Sequence, residues 1–400
     1  MKYDFTSIMD RHGKDAMAVD GLGIGFAPPK PKEGFDVIPM WVADMNFPTA
    51  PTIPQAIIER AQHPAYGYFH PAEEYYSSII EWQKARHQVT GLTKEHIGYE
   101  NGLLGGLVSA MRVIASQGDS VLLHSPTYIG FTSVLKGNGY NIVSSPLVKD
   151  GQGVWRIDFA DMERKIVEHH IHAAVFCSPH NPCGRVWERW ELERVMELCR
   201  KHGVFVISDE IWSDIVRPDC KHIPTQSVSQ DARERTVALY APSKTFNLAG
   251  LIGSYRIIYN QWLRDRVDRE EGLSHYNSMN VLSMHALIGA YRPEGREWVD
   301  ELCQTIAGNV DYAVERIARY PGVSVFKPQG TYMLFLDCAG WCAGHNTTIE
   351  QMLQAGWDVG VAWQDGRPFH GPCHIRMNLA LPLSRVREAF DRLDKHVFSC

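Results

Sequence analysis

Four residues of different chemistry stand just beyond four apolar runs. Lys244 closes "TVALYAPSK", Asp209 follows "VFVIS", Asn181 follows "HAAVFCSP" and Tyr128 follows "SVLLHSP". A lysine amine that is accessible and can lose its proton condenses with a carbonyl to form a Schiff base. An aspartate close by can keep a pyridine nitrogen protonated and make the ring an electron sink. Asn181 sits in the tight turn "NPCG", built by Pro182 and Gly184, and its amide can donate to a phenolic oxygen or a carboxylate. "NGLLGGL" (101–107) opens a helix with glycines, and free N–H groups at such a start suit a phosphate. Each feature has an ordinary alternative: a solvated lysine, a capping aspartate, a core tyrosine, a plain glycine turn. Their occurrence together and in order points to one site.

The pattern around them says what holds them. From about Ala50 to Tyr291 apolar strand-like runs alternate with helical patterns. In "ERWELERVMELCRKHG", Leu192, Val195, Met196 and Leu198/Cys199 share one helical face, and Gly203 ends it. Continuous apolar strands alternating with helices predict an α/β fold with a mainly parallel sheet between helices. Ligands in such folds bind beyond the carboxyl ends of the strands, where these four residues stand. After Tyr291 a long helix carries Trp298, Leu302, Ile306, Val310, Val314 and Ile317. The strand candidates "GTYMLFLDC" and "CHIRMNLAL" and the helix "LSRVREAFDRLDKHV" follow. A large domain over 50–290 and a smaller α+β domain formed by 1–49 and 291–400 are predicted.

Composition excludes several classes. The 400 residues are 44% hydrophobic and 22% charged, with a net charge of -6, which favours neither nucleic acid nor an anionic membrane surface. The start has no apolar core of a leader segment and no apolar run reaches spanning length, so a cytoplasmic protein is expected. Nine cysteines, an odd number without a CxxC pair, read as reduced and mostly buried thiols. His169, His170 and His172 have the composition of a metal set but lie where a helix end runs into a strand, and no metal is expected.

"SPHNPCGRVW", "VISDEIWSD" and "APSKTFNLAG", with Asp209 28 residues after Asn181 and 35 before Lys244, resemble the aminotransferase superfamily, the fold-type-I enzymes of pyridoxal 5'-phosphate (PLP). "IPMWVADMNFPTAP", "YGYFHP" and "IRMNLALP" resemble a narrower group, the MalY/PatB-like cysteine-S-conjugate β-lyases, or cystathionine β-lyases. The resemblance runs from Tyr3 to about Leu393. It implies that Lys244 holds PLP and moves protons, Asp209 pairs with the ring nitrogen, Tyr128 stacks on the ring, and Asn181 contacts the phenolic oxygen and the substrate carboxylate. Gly102, Leu103 and Leu104 would offer N–H groups to the phosphate. Arg376, in "HIRMN", would fork onto the α-carboxylate of a small amino-acid substrate, and Ala43 would line that pocket. Tyr68 would reach the phosphate of a neighbouring subunit, which implies a homodimer with shared sites. Arg367 competes with Arg376 for its role, and Tyr66 with Tyr68.

The chain also departs from the superfamily pattern. Trp212 stands where many aminotransferases have a tyrosine that bonds the phenolic oxygen. Ala241 and Ile252 replace a serine and an arginine on the phosphate, so Ser243 or Tyr68 would carry more of that load. Asn46 stands where the lyase group has an aspartate. The implied reaction is β-elimination of S-substituted L-cysteines, cystathionine-type, to a thiol, pyruvate and ammonia. The alternatives are a PLP-dependent aminotransferase, which shares every step up to loss of the α-proton, and a PLP-fold protein with a regulatory role.

Overall fold

In the computed structural model, which describes residues 1–274 and 277–399, the apolar runs become neighbouring strands of one eight-stranded sheet. Its order is 97–100, 254–257, 236–240, 205–209, 173–177, 120–125, 141–149, 155–157. The five strands from 236–240 across to 141–149 are parallel. The outer pairings, at 97–100, 254–257 and 155–157, are antiparallel. Strands 173–177 and 236–240 are buried along their whole length, as strands covered on both faces must be. The helix Arg189–His202 buries Leu192, Val195, Met196, Leu198 and Cys199, and Gly203 ends it at φ +69°. That left-handed conformation suits glycine.

The later chain forms the helix Pro293–Ile317 and a four-stranded antiparallel sheet, in the order 324–325, 333–337, 374–378, 364–365. The N-terminal segment joins it: Ile38–Pro39 pairs in parallel with Val361–Ala362. Residues 41–46 then run between this part and the large sheet. Asn378 Nδ2 donates to the carbonyls of Val42 (2.7 Å) and Asp44 (2.6 Å). From the other side, Asn247 accepts the Met45 N–H at 3.0 Å and donates to the Met45 carbonyl at 2.9 Å. Short polar side chains thus satisfy the backbone of an irregular segment that has no ladder of its own.

The eight described cysteines are unpaired; Cys220 and Cys373 are half-buried and the rest buried. Among the described residues no helix is long and apolar enough to cross a membrane. His169 ends the helix Phe159–Glu168, and no group of three potential metal ligands gathers there or elsewhere among them.

Candidate active site

At the carboxyl ends of the parallel strands a cavity of about 490 Å³ opens between the large sheet and the antiparallel one. Lys244, Asp209, Asn181 and Tyr128 line it, and so do Arg376 and Ala43 from the other side. Gly102, Leu103, Leu104 and Ser243 form a further part of its wall. Ten of the eleven residues singled out in the sequence therefore meet. Tyr68 does not: it is fully exposed and lies with Tyr66 in a separate hollow.

Lys244 sits in the one-turn helix Pro242–Thr245 that follows strand 236–240. Its amine donates to the Ala43 carbonyl at 2.8 Å, an oxygen that also accepts the Tyr332 hydroxyl at 3.0 Å. Burial, and then the nearby Arg376 guanidinium, push the amine down to about 8, against the opposing pull of Asp44 and Asp209. A lysine so placed has a neutral fraction at ordinary pH, which nucleophilic attack requires.

Asp209, the last residue of its strand, is buried and accepts the Ile211 N–H at 3.0 Å. Burial pushes its carboxyl up to about 7, against the smaller opposing pull of the Ile211 N–H and of Lys244. Its neighbour Glu210 points into a different environment. It pairs with His222 at 2.5 Å and accepts from Ser208 (2.8 Å) and the Thr225 N–H (2.9 Å). Burial raises the Glu210 carboxyl, but these partners bring it net below its ordinary value. Two adjacent buried acids therefore differ: one is satisfied inside the fold, the other is left for what enters the cavity.

Arg376 lies mid-strand at 3% exposure. Gln364 and Phe335 are its cross-strand partners. The Gln364 Oε1 accepts from Nε (2.9 Å) and Nη2 (2.5 Å), Asn181 Oδ1 accepts from Nη1 (3.3 Å), and the Trp41 carbonyl accepts from Nη2 (3.2 Å). The guanidinium rests 4.3 Å from the Phe369 ring centroid. All these partners are neutral. Burial brings the group down to about 10, still a cation at pH 7. A buried guanidinium with neutral partners facing a cavity is a site for a carboxylate. The competing Arg367 is tied to Asp365 and Glu350 outside the cavity.

The helix Leu103–Ile114 starts at the cavity with Gly102 at φ +87° and no side-chain cap, leaving its first N–H groups for an anion. Tyr128 caps the helix Ile129–Gly137. Its ring lies so close over Gly130 that a Cβ there would come 2.3 Å from Cε1. Lysine amine, buried acid, flat aromatic, anion-binding helix start and carboxylate fork together suit a phosphorylated pyridine aldehyde and an amino-acid substrate.

A family model, aminotransferase class I and II, matches residues 36–393. The chain belongs to this family. It is 32% identical over 362 residues to the protein named cystathionine beta-lyase PatB of Bacillus subtilis (strain 168), covering 90% of this chain and 92% of that one. It is 31% identical over 396 residues to protein MalY of Escherichia coli (strain K12), covering 96% of each. The solved PLP-bound C-S lyase of Staphylococcus hominis superposes with a TM-score of 0.88 at 29% identity, covering 99% of this chain and 98% of that one.

Trp212 is buried, edge-on to Tyr332 at 4.7 Å, with the Lys244 amine 5.9 Å from its ring centroid. Ala241 and Ile252 line the cavity with Ser243. Asn46 accepts from Arg11 at 3.0 Å, beside the Arg11–Asp44 ion pair at 2.6 Å. Sequence reading missed Trp41 and Gln364, which bond Arg376, and Asn247 and Asn378, which bond the backbone on either side of Ala43. "SKTFN" and "IRMN" hold two of them in plain view, but a lone asparagine carries no signal until the segment it clips is known.

Proposed function

We propose that the protein catalyses PLP-dependent β-elimination of S-substituted L-cysteines, cystathionine among them: with water, the substrate gives a thiol, pyruvate and ammonia. The observation that carries this reading is the meeting of Lys244, Asp209 and the neutrally partnered Arg376 in one cavity, in a chain whose relatives bear lyase names.

Bound PLP supplies an electron sink for the pair of electrons left when the α-proton departs. The chain's residues do the rest. Arg376 would hold the α-carboxylate as a bidentate fork by exchanging an N–H pair that its neutral acceptors Gln364, Asn181 and the Trp41 carbonyl now occupy. Asn181, already bonded to Arg376, keeps its amide nitrogen for the phenolic oxygen or the same carboxylate. Lys244 Nζ takes the α-proton and delivers it toward the departing sulfur, and the Ala43 carbonyl is its resting acceptor. Asp209 would hold the pyridine nitrogen, its carboxylate paired with the protonated ring. Tyr128 would cover the ring, and Gly102, Leu103, Leu104 and Ser243, which line the cavity, would hold the phosphate. Trp212, which has no hydroxyl, would offer the phenolic oxygen no hydrogen bond.

Tyr68, exposed and outside its own cavity, completes the phosphate site of a partner subunit in a cytoplasmic homodimer. Light scattering would then show a dimer, and a fully active monomer would refute that part. The reaction is tested by pyruvate release from cystathionine, cystine and S-alkyl cysteines, with and without an added oxo-acid. Pyruvate without the oxo-acid is expected. Turnover only in its presence would establish the aminotransferase alternative. Borohydride should fix the cofactor on Lys244, and an adduct on another lysine would refute its role.

A further inference from the structure

Lys244 belongs to a helix of only four residues, Pro242–Thr245. A single turn is far below the length at which a helix holds itself, so contacts from outside must fix its direction. Ser243 and Lys244 face the cavity and Pro242 has no polar group, whereas Thr245 is fully buried and lines no part of the cavity. Its hydroxyl donates to Asp214 Oδ2 at 3.1 Å. We propose that Asp214 is a positioning residue for Lys244: from behind the cavity, through the Thr245 hydroxyl, it holds the short helix that aims the lysine amine at the cofactor aldehyde. This rests on the reading of Lys244 as the residue that takes up PLP, and adds to it two residues outside the cavity.

Asp214 ends the stretch "VISDEIWSD" (206–214). The Ser213 N–H donates to the Glu210 carbonyl (2.9 Å) and the Ile215 N–H to the Trp212 carbonyl (3.0 Å). These turns fold the chain so that Asp209 and Trp212 line the cavity while Asp214 lies behind it, buried. There the C-terminal half of the helix Glu73–His87 surrounds its carboxylate. The Trp82 indole N–H donates to Oδ1 (3.1 Å) and Oδ2 (3.3 Å), and Arg86 Nε stands 3.7 Å from Oδ1. His87 Nε2 is 3.1 Å from Oδ1, out of line for a hydrogen bond. Trp82 is itself stacked on Tyr291, ring centroids 4.4 Å apart. From the helix Pro293–Ile317, Cys303 donates its thiol to the Asp214 backbone carbonyl at 3.3 Å.

Burial opposes ionisation of Asp214, but His87, Arg86 and Thr245 bring its carboxyl net below the ordinary value. An ionised carboxylate is a strong acceptor for a hydroxyl. The charges that act most strongly on the Lys244 amine are those of Arg376, Asp44 and Asp209. Asp214 therefore bears on the lysine through position and not through charge.

The test uses Thr245→Val, which keeps the shape and removes the hydroxyl, and Thr245→Ser, which keeps the hydroxyl. The cofactor-free proteins are mixed with PLP and, separately, with pyridoxamine 5'-phosphate, which has no aldehyde and cannot condense with a lysine. Thr245→Val should bind pyridoxamine phosphate as tightly as the wild type, yet turn yellow with PLP about tenfold or more slowly, because displacing a reacting group by about 1 Å or less acts on that scale. The pH midpoint of that rate should stay where it is, since no charge near the amine has changed. In the holoenzyme kcat for pyruvate release from S-methyl-L-cysteine should fall with little change in KM. Thr245→Ser should restore each of these. Asp214→Asn, which still offers Trp82 an acceptor, should slow PLP capture in the same way and replaces Thr245→Val if that variant does not fold; failure of both to fold would show a role in the fold alone and overturn the inference. Capture at the wild-type rate in Thr245→Val, equal loss in Thr245→Val and Thr245→Ser, or a parallel loss of pyridoxamine phosphate affinity also overturns it and leaves Lys244 in its role. A borohydride adduct on another lysine of the wild type overturns that role and the inference with it.

Discussion

The carboxyl of Asp209 should make the cofactor-free protein lose stability as pH rises, and Asp209→Asn should remove that loss. The folded protein holds this carboxyl at about 7, against an ordinary value of 3.8, because burial disfavours the charge. Below pH 3.8 both states are protonated and there is no cost. Above it the unfolded chain releases its proton while the folded one keeps it, so stability falls until about pH 7 and is level beyond. At 1.36 kcal/mol per pH unit the full cost is about 4 kcal/mol, of which roughly 2.5 kcal/mol develops between pH 5 and pH 8. Asparagine keeps the shape and can still accept the Ile211 N–H, but has nothing to ionise. Denaturant unfolding of cofactor-free wild type and variant at pH 5 and 8 is the assay. The variant should gain on the wild type by roughly 2–3 kcal/mol between the two pH values. A constant difference would show that Asp209 is not held protonated by burial, and would remove the reason for its pairing with a ring nitrogen. Adding PLP should stabilise the wild type more than the variant at pH 8, since only the carboxylate gains a cationic neighbour.

Lys244 gives a second pH signature. With its amine pushed down to about 8, the rate at which cofactor-free protein turns yellow on adding PLP should rise between pH 6 and 8 and then level; a flat profile would contradict a lysine titrating there. Arg376→Lys keeps the charge but loses the fork, so KM should rise by about 10- to 100-fold with a smaller change in kcat, from 1.5–3 kcal/mol for a charge-assisted hydrogen bond. Steady-state kinetics decide it: a collapse of kcat at constant KM would place Arg376 elsewhere in the reaction. Gly130→Ala puts a methyl 2.3 Å from Tyr128 Cε1 and must tilt the ring, so PLP affinity should fall by about tenfold, the scale of a stacking contact of ~1.4 kcal/mol. Unchanged affinity in a cofactor titration would show that Tyr128 does not cover the ring.

Lys244, Asp209, Asn181 and Tyr128 could be read from the sequence because each follows a run whose composition already marks a buried strand, and parallel strands present their carboxyl ends along one edge. Local pattern alone therefore fixed which residues share the site. The chain of contacts that aims Arg376 was not readable. Gln364 meets it through antiparallel register, and the Trp41 carbonyl reaches it from 335 residues away in sequence. Neither pairing leaves a trace in spacing, because register is decided by packing between distant segments. Tyr68 shows the same division in reverse. Its motif assigns it to a neighbouring subunit's site, and the fold sets it on the outer surface, outside its own cavity, a placement that nothing local in "YGY" states. Glu210 and Asp209 are adjacent acids of like charge, and only the tertiary placement of His222, Ser208 and Thr225 around the first leaves the second unpaired at the cavity. Residue type supplies the available chemistry, while burial and partners, which exist only once the chain has folded, determine the protonation state in which each group works.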